Sequence, residues 1–326
     1  MPSELETAIL RTRSRFNEIE DPARRQMAAT YQRVTDRIQS ELKIVDIASG
    51  GNPEGWRLFR QQRLQRLLTQ AESEFARFSD DGMRIIGQER VMAVRGGAAQ
   101  AWELMGASGV ETAFSGRINT AAVERVMAAT YDGPLRKVLD GYGARGSEAI
   151  ERLLLQGIST GEGGQSITRR IMRELGGKGN RSRIEALTRT EGMRGFRAGI
   201  DEQYKEMGHL IQGYRWVAAK SLRTCLACLS RDGQVQKTPW DQFHVQCRCV
   251  NSPVPIGSKM PYETGPEWLA KQHAEKQRKM FATTKAYEAY RAGDVTLDNF
   301  VGVSRSRVWG DAVFQKSGKQ AMERAK

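Results

Sequence analysis

All four cysteines of this chain, with one of its three histidines, fall between Cys225 and Cys249. Two cysteines separated by two residues, as in Cys225-Leu-Ala-Cys228, can curl around one metal ion, and a second group on a returning strand can close a tetrahedral site. The returning pair here is Cys247-Arg-Cys249, tighter than the usual spacing, and His244 offers a substitute ligand that Cys225, Cys228 and either Cys249 or Cys247 can join. A site with four protein ligands makes any zinc a structural clip, because catalysis needs an open position. One structural zinc ion, one or two disulfides, and buried free thiols remain open as readings of these residues. A thioredoxin-like use of Cys225 and Cys228 lacks the βαβ context it needs.

The rest of the chain sets the fold class. Met27, Tyr31, Val34, Ile38, Leu42 and Val45 recur at spacings of three and four, which places one apolar stripe on a helix with Arg24, Arg33 and Arg37 off it. Asp21-Pro22 reads as the start of that helix, with an earlier helix over Glu4 to Ile19, and Gly50-Gly51-Asn52-Pro53 ends it. Trp56, Phe59, Leu64, Leu67, Leu68, Ala71, Phe75 and Phe78 predict a further helix. Helical fragments follow around Met83 to Met105 and Thr120 to Leu139, divided by Gly96-Gly97 and by the glycines from Gly106 to Gly116. Gly141, Gly143 and Gly146 form a hinge-like tract that suggests a domain boundary.

Beyond that tract Ile150 to Gln156, Ile167 to Leu175 and Ile184 to Met207 read as helices. Gly161-Glu-Gly-Gly164 between the first two is a plain interhelical loop, since no strand precedes it and no Gly-Lys-Ser/Thr follows. Ser166 is the expected cap of the next helix, whose Arg169, Arg170 and Arg173 offer contacts to a polyanion. After Gly213 the period changes: Tyr214, Trp216 and Ala218 alternate as on a strand, and a compact, partly β unit is expected over the next sixty or so residues. A helix from Glu267 to Arg291, a turn at Gly293-Asp294 and a frayed end after Val313 complete the expectation. The class is α+β, predominantly α-helical, with 1–145 a helical region, 146–255 a mixed domain holding the cysteine unit, and 256–326 a C-terminal helical extension.

Charge narrows the partners. The 51 basic residues, 37 of them Arg, exceed the 38 acidic ones to give +13. Arginine suits bidentate contacts with phosphate or carboxylate, so a polyanion or an acidic protein surface is expected, although no compact Lys/Arg tract appears. No apolar run approaches the ~18 residues of a membrane span, and charge throughout Met1 to Arg15 argues against a secretory signal. Catalytic constellations are missing from the sequence: His209, His244 and His273 are dispersed, and neither His-Glu-x-x-His, Gly-x-Ser-x-Gly nor a complete nucleotide fingerprint occurs. Asp294 and Asp298 read as turn and cap residues rather than as ligands of a nuclease metal.

Taken in order, Arg189-Thr190-Glu191, Tyr214-Arg-Trp216, Thr224-Cys-Leu-Ala-Cys228, Arg231-Asp232-Gly233, His244-Val-Gln-Cys247-Arg248-Cys249 and Pro253-Val254 resemble the head-morphogenesis or minor-head proteins of tailed bacteriophages, of the Mu F and SPP1 minor-head type. The resemblance runs from about Glu148 to Val254, more weakly to Trp309, and departs where His-Pro is usual and His244-Val245-Gln246 stands here. It implies a minor component of the virion or procapsid, made in the bacterial host cytoplasm, acting at the portal vertex in head morphogenesis and in genome packaging or delivery. Implied partners are portal or capsid proteins, with residues 1–145 a candidate portal- or capsid-associated region. The alternative function is a basic, sequence-independent DNA-binding module that stabilises or escorts the phage genome end. Arg189 and Glu191, two apart on a helix, diverge by about 200° and are not a ready catalytic pair. Arg189 and Arg197 are expected to reach different partners, and Glu191 to accept from Arg194 or from buried backbone. No enzymatic activity is expected, a hidden hydrolase or nuclease being the remote exception.

Overall fold

The computed structural model describes residues 4–48, 62–110, 124, 134–160, 162–258, 261–306 and 310–325. Among them, five helices come first: α1 (Glu4–Ala48), α2 (Gln62–Ala107), α3 (Pro134–Ser159), α4 (Gly164–Leu175) and α5 (Lys178–Glu206). A mixed region follows, with strands β1 (Ile211–Val217), β2 (Val235–Gln236) and β3 (Val250–Pro255) and the short helix α6 (Leu226–Arg231). Three short helices α7 (Gly265–Ala270), α8 (Ala274–Met280) and α9 (Thr284–Ala292), a hairpin of β4 (Val301–Ser306) and β5 (Gly310–Gln315), and α10 (Gly318–Arg324) complete the chain. The fold is predominantly helical with a smaller mixed region that holds the cysteines. None of the helices described is long and apolar enough to cross a membrane.

The chain divides into two units, each built from separated stretches. One contains 19–89 and 128–189. Its core receives the α1 stripe, with Met27, Tyr31, Val34, Ile38 and Leu42 all buried. Tyr31 meets Phe78 edge-on at 5.4 Å, Phe78 meets Tyr142 at 6.2 Å, and the Tyr31 hydroxyl donates to the Leu175 carbonyl at 2.9 Å. On α4, Ile167, Ile171 and Leu175 are buried one turn apart while Arg169 and Arg173 face solvent.

The other unit contains 1–18, 90–127 and 190–326. Here α2 and α5 approach backbone to backbone. A Cβ added at Gly97 would lie 2.0 Å from the Phe196 carbonyl oxygen, and one at Gly199 2.1 Å from that of Val94. Phe16 of α1 meets Phe196 edge-on at 5.6 Å beside this contact. Further along, β1 is the centre of the antiparallel sheet β2-β1-β3. Trp216, Leu226, Leu229, Cys228, Cys247 and Cys249 share one core with Leu269, Phe281, Ala286, Phe300 and Ala321, so residues after 256 complete the packing around the cysteines.

Several breaks expected from the sequence do not occur. Pro22 does not start a helix: α1 runs through it unbroken. The ring and Glu18, whose carbonyl loses its donor, both lie on the exposed side, so water can satisfy the lost bond while the stripe stays buried on the other. Gly96-Gly97 lies inside α2, where Gly97 serves close packing. Gly141, Gly143 and Gly146 lie inside α3, where a Cβ at Gly146 would strike the Phe75 ring at 2.3 Å. Gly163, not Ser166, caps α4, and Ser166 donates instead to Glu162 at 2.5 Å. The expected helix over 267–291 is three helices, the last capped by Thr283 and ended by Gly293 at φ 86°. The end of the chain is ordered, with Ser317 and Gln320 forming a capping box on α10 and Ala321 buried. Gly50 to Pro53, Trp56, Phe59, Gly116, most of 120–133, Gly161 and Trp309 lie outside the described residues, as do the side chains of Val45 and Leu64.

Two substitutions separate packing glycines from idle ones. Gly199→Ala is expected to destabilise the protein by ~1–3 kcal/mol through overpacking. Gly106→Ala, on α2 with nothing within 4 Å of the added carbon, is expected to stabilise it by ~0.5–1 kcal/mol. Denaturant melts of both variants measure the difference. In the other unit, Ile38→Asp places a carboxylate at a site 2% exposed and should lower the thermal midpoint sharply, whereas Arg33→Asp at an exposed position should not.

Candidate metal centre

The centre is built on β1 and on the two arms that return to it. Thr224 closes the turn before α6 by accepting the Ser221 N–H at 3.0 Å, and Cys225 then caps α6 by accepting the Cys228 N–H on its sulfur at 3.3 Å. Asp232 ends α6 and ties it to β1, taking the Ala218 N–H at 2.5 Å and the Tyr262 hydroxyl at 2.7 Å, with Lys220 at 3.5 Å. Gly233 follows at φ 93°, a conformation a side chain would strain, and the Gly233 N–H donates to the Trp216 carbonyl at 2.9 Å. Trp216, fully buried, stacks on Phe243 at 4.5 Å. The second arm turns at His244, where the Cys247 N–H donates to the His244 carbonyl at 3.0 Å and Gln246 adopts φ 63°. A positive φ at the third residue is what a type II turn requires. β3 then pairs with β1, setting Pro253 opposite Tyr214.

This geometry gathers Cys225, Cys228 and His244, and Cys228, Cys247 and Cys249, into two groups that share Cys228. His244 Nε2 lies 3.3 Å from Cys225 Sγ and 3.2 Å from Cys228 Sγ, and Cys228 Sγ lies 3.8 Å from Cys247 Sγ. The four cysteines are unbridged. Zinc–sulfur bonds of ~2.3 Å and zinc–nitrogen bonds of ~2.0 Å in a tetrahedron put sulfurs ~3.8 Å apart and sulfur ~3.5 Å from nitrogen. The observed separations fit that figure closely. His244 Nδ1 faces the Val245 carbonyl oxygen at 2.7 Å, which leaves Nε2 as the ligand atom and orients the ring. A cluster able to hold a metal ion is therefore present.

Without a metal ion, the five groups share protons among themselves, and binding one would release the protons held by His244 and Cys228. The hydrogen bond with Cys228, together with His244 and against burial, draws the Cys225 thiol down to about 5. Burial works against the charged imidazole, yet the Cys225 and Cys247 sulfurs outweigh it and raise His244 to about 11. The same contacts push Cys228 up, through its bonds to Cys225 and Cys247.

The remaining family-like residues do different work. Arg189, in the unit of 19–89 and 128–189, contacts buried Glu20 at 2.6 Å. Thr190 and Glu191 belong to the other unit. Thr190 Oγ1 accepts the Gln246 N–H at 3.1 Å, while Glu191 pairs with buried Arg90 and with Arg194 at 3.2 Å. Arg248 is half-buried between the two cysteines of its arm. Arg170 is engaged by Glu162 at 2.5 Å and Gln156 at 2.7 Å, whereas Arg169 and Arg173 are exposed. Asp298 accepts from Ser230, and neither it nor Asp294 falls in a metal-capable group among the described residues.

Sequence reasoning named Thr190 and Arg197 but missed Asp201 and the role of the inner face of α5 that the three share. Arg197 donates to the Cys247 carbonyl at 2.7 Å and to the Cys249 carbonyl at 2.8 Å, and Asp201 accepts from Asn251 at 2.9 Å. With Thr190 they stand seven and four residues apart, one helical face, and that spacing was the available signal.

Residues 148–252, about a third of the chain, match the family model described as Phage Mu protein F like protein. That stretch runs from α3 to β3 and gives the chain a general link to the minor-head proteins of phages. No curated protein and no solved structure matches the chain.

Burial lifts the Asp201 carboxyl to about 7, against the opposing pull of Asn251 and Arg197. An acid raised in the folded state favours folding while protonated, so its contribution is full below its unfolded value of ~3.9 and is lost as pH rises through about 7. Asp201→Asn is expected to flatten the decline in stability between those limits, measured as the difference between wild-type and variant melting curves across pH.

Proposed function

We propose that this protein is a minor structural component of a phage head, acting at the portal vertex in head morphogenesis and in genome packaging or delivery. It resides in the virion or procapsid, and in the bacterial host cytoplasm during assembly. The observation that carries this reading is the family match over 148–252, which coincides with the cysteine unit and α5. A structural rather than enzymatic role is supported by how the motif residues are used: Arg189 is held by Glu20, Glu191 by Arg90, and Asp232 by Ala218, Tyr262 and Lys220. Its partners are portal or capsid proteins. DNA contact, favoured by the net +13 and by exposed Arg169 and Arg173, is basic and independent of sequence.

Within this role the cysteine cluster holds one structural zinc ion, with ligands drawn from Cys225, Cys228, His244, Cys247 and Cys249. Bound there, zinc would pin α6 and the returning arm to one point, and a small β unit gains folding free energy from such a pin. Elemental analysis of protein purified without chelator should find one zinc per chain. Cys225→Ser and Cys228→Ser should raise hydrogen exchange over 214–254 more than in the N-terminal helices. Protein that contains neither metal nor disulfide would defeat the clip.

The head role is tested by pull-down from a head-assembly lysate with and without nuclease, paired with localisation in assembled particles. Portal or capsid protein should be recovered after complete DNA digestion. Loss of every protein partner on digestion would favour the DNA-binding module instead, and exclusion from heads at all stages would sink the assembly role. Binding to duplex DNA should weaken steeply with salt and show no strong sequence preference.

A further inference from the structure

Arg197 is buried, and its guanidinium makes no ion pair with a carboxylate among the described residues; its bonds go to the carbonyls of Cys247 and Cys249. The guanidinium lies 3.9 Å from the centroid of Phe243. Asp201, one turn further along α5, accepts from Asn251 and acts on Arg197 electrostatically, but makes no direct ion pair with it. A cation removed from water persists when negative charge stands close to it, and carbonyl dipoles supply only part of that. The other anionic groups at hand are the cysteine sulfurs. Three thiolates and a neutral imidazole around a divalent ion leave one net negative charge, and four thiolates leave two.

We infer that Arg197 is the positioning residue of the metal centre: it fixes the backbone of the Cys247-Arg248-Cys249 arm and balances the excess negative charge of the metal–thiolate group. This inference rests on the metal reading of the cluster. Guanidinium is the side chain suited to the task, since its rigid fork can donate to two carbonyls two residues apart while a lysine ammonium is a point donor. The neighbouring turns of the same helix face extend the grip. Thr190 holds the Gln246 N–H just before the arm, and Asp201 holds Asn251 just after it, so α5 acts as a template against which the second pair of sulfurs is set. The first pair does not draw on α5: α6 orders Cys225 and Cys228 through their own N–H to sulfur bond.

The test uses the full chain under reducing conditions, with Co²⁺ as spectroscopic probe and Zn²⁺ affinity measured by competition with a chromophoric chelator. Wild type should bind one ion per chain with sulfur-to-cobalt charge-transfer bands. Arg197→Met, which removes both charge and fork, should weaken affinity by roughly 10–100-fold, the usual range for groups that orient metal ligands. Arg197→Lys keeps the charge but cannot hold both carbonyls, and should lie between, with shifted cobalt bands. If Arg197→Met fails to fold, Arg197→Lys decides. Wild-type affinity and cobalt spectra in the folded variants would overturn the role of Arg197 and leave the metal reading standing, because a merely structural residue lowers stability with and without metal alike. Wild type that binds neither ion would overturn the metal reading itself, and is recognised without any variant.

Discussion

The position of α5 governs what the rest of the second half can do, and that position is set by backbone contact. Gly97 and Gly199 let α2 and α5 touch main chain to main chain, at a spacing where no side chain fits. Close approach brings the inner face of α5 to a fixed depth, and from there short, rigid bonds reach the cysteine arm: Thr190 to Gln246, Arg197 to Cys247 and Cys249, Asp201 to Asn251. A methyl group at either glycine would move the helix, and every one of those bonds has a length tolerance of a few tenths of an ångström. The geometry of the sulfurs is thus inherited from a helix contact that contains no sulfur.

Charge follows the same logic. Arg189 and Glu191 are adjacent but one to a linear sequence, yet they do not face each other, and each is neutralised by a residue far away in the chain, Glu20 for one and Arg90 for the other. A buried ion pair contributes little net stability compared with an apolar pair of the same size, but breaking one strands a charge at high cost. Such pairs therefore specify which helices may neighbour which, more than they strengthen the contact. Spent in this way, Arg189 and Glu191 of the Arg-Thr-Glu segment are each committed to a buried ion pair.

How much of this was legible in the sequence depended on whether the signal was a period or a contact. The Met27 to Leu42 stripe and the Ile167 to Leu175 face were readable because burial on one side of a helix imposes its own spacing. The candidates Cys225, Cys228, His244, Cys247 and Cys249 were readable because metal-type ligands at short spacing are rare. Pro22 and the glycines at 97, 143 and 146 were misread, since a residue tolerated on an exposed face or demanded by close packing is the same letter as one that breaks a helix. Arg197 was expected to reach a partner other than that of Arg189, but the partner itself was unreadable for a different reason. Its partners are backbone carbonyls, which every residue has, so nothing at positions 247 and 249 announces that an arginine is aimed there.

The same distinction accounts for the C-terminal region. Val301-Gly-Val-Ser-Arg-Ser has too little apolar alternation to read as a strand, and it forms one because Gly302 pairs with Phe314, whose ring covers the bare backbone. The hairpin is in turn fixed to the cysteine unit, with the Val313 N–H on the Gln242 carbonyl at 3.0 Å and the Gln315 side chain accepting the Leu226 N–H at 2.8 Å, at the first turn of α6. Since Leu226, Cys228 and Leu229 share their core with Phe281, Phe300 and Ala321, the segment that holds the first pair of sulfurs is packed from one side by residues that follow it far along the chain. The cysteine unit is therefore not a self-contained knuckle inserted into a helical protein. Its two arms are set by different parents, α5 for Cys247 and Cys249 and the C-terminal hairpin and helices for Cys225 and Cys228, and a metal ion at their meeting point would report on whether both have folded.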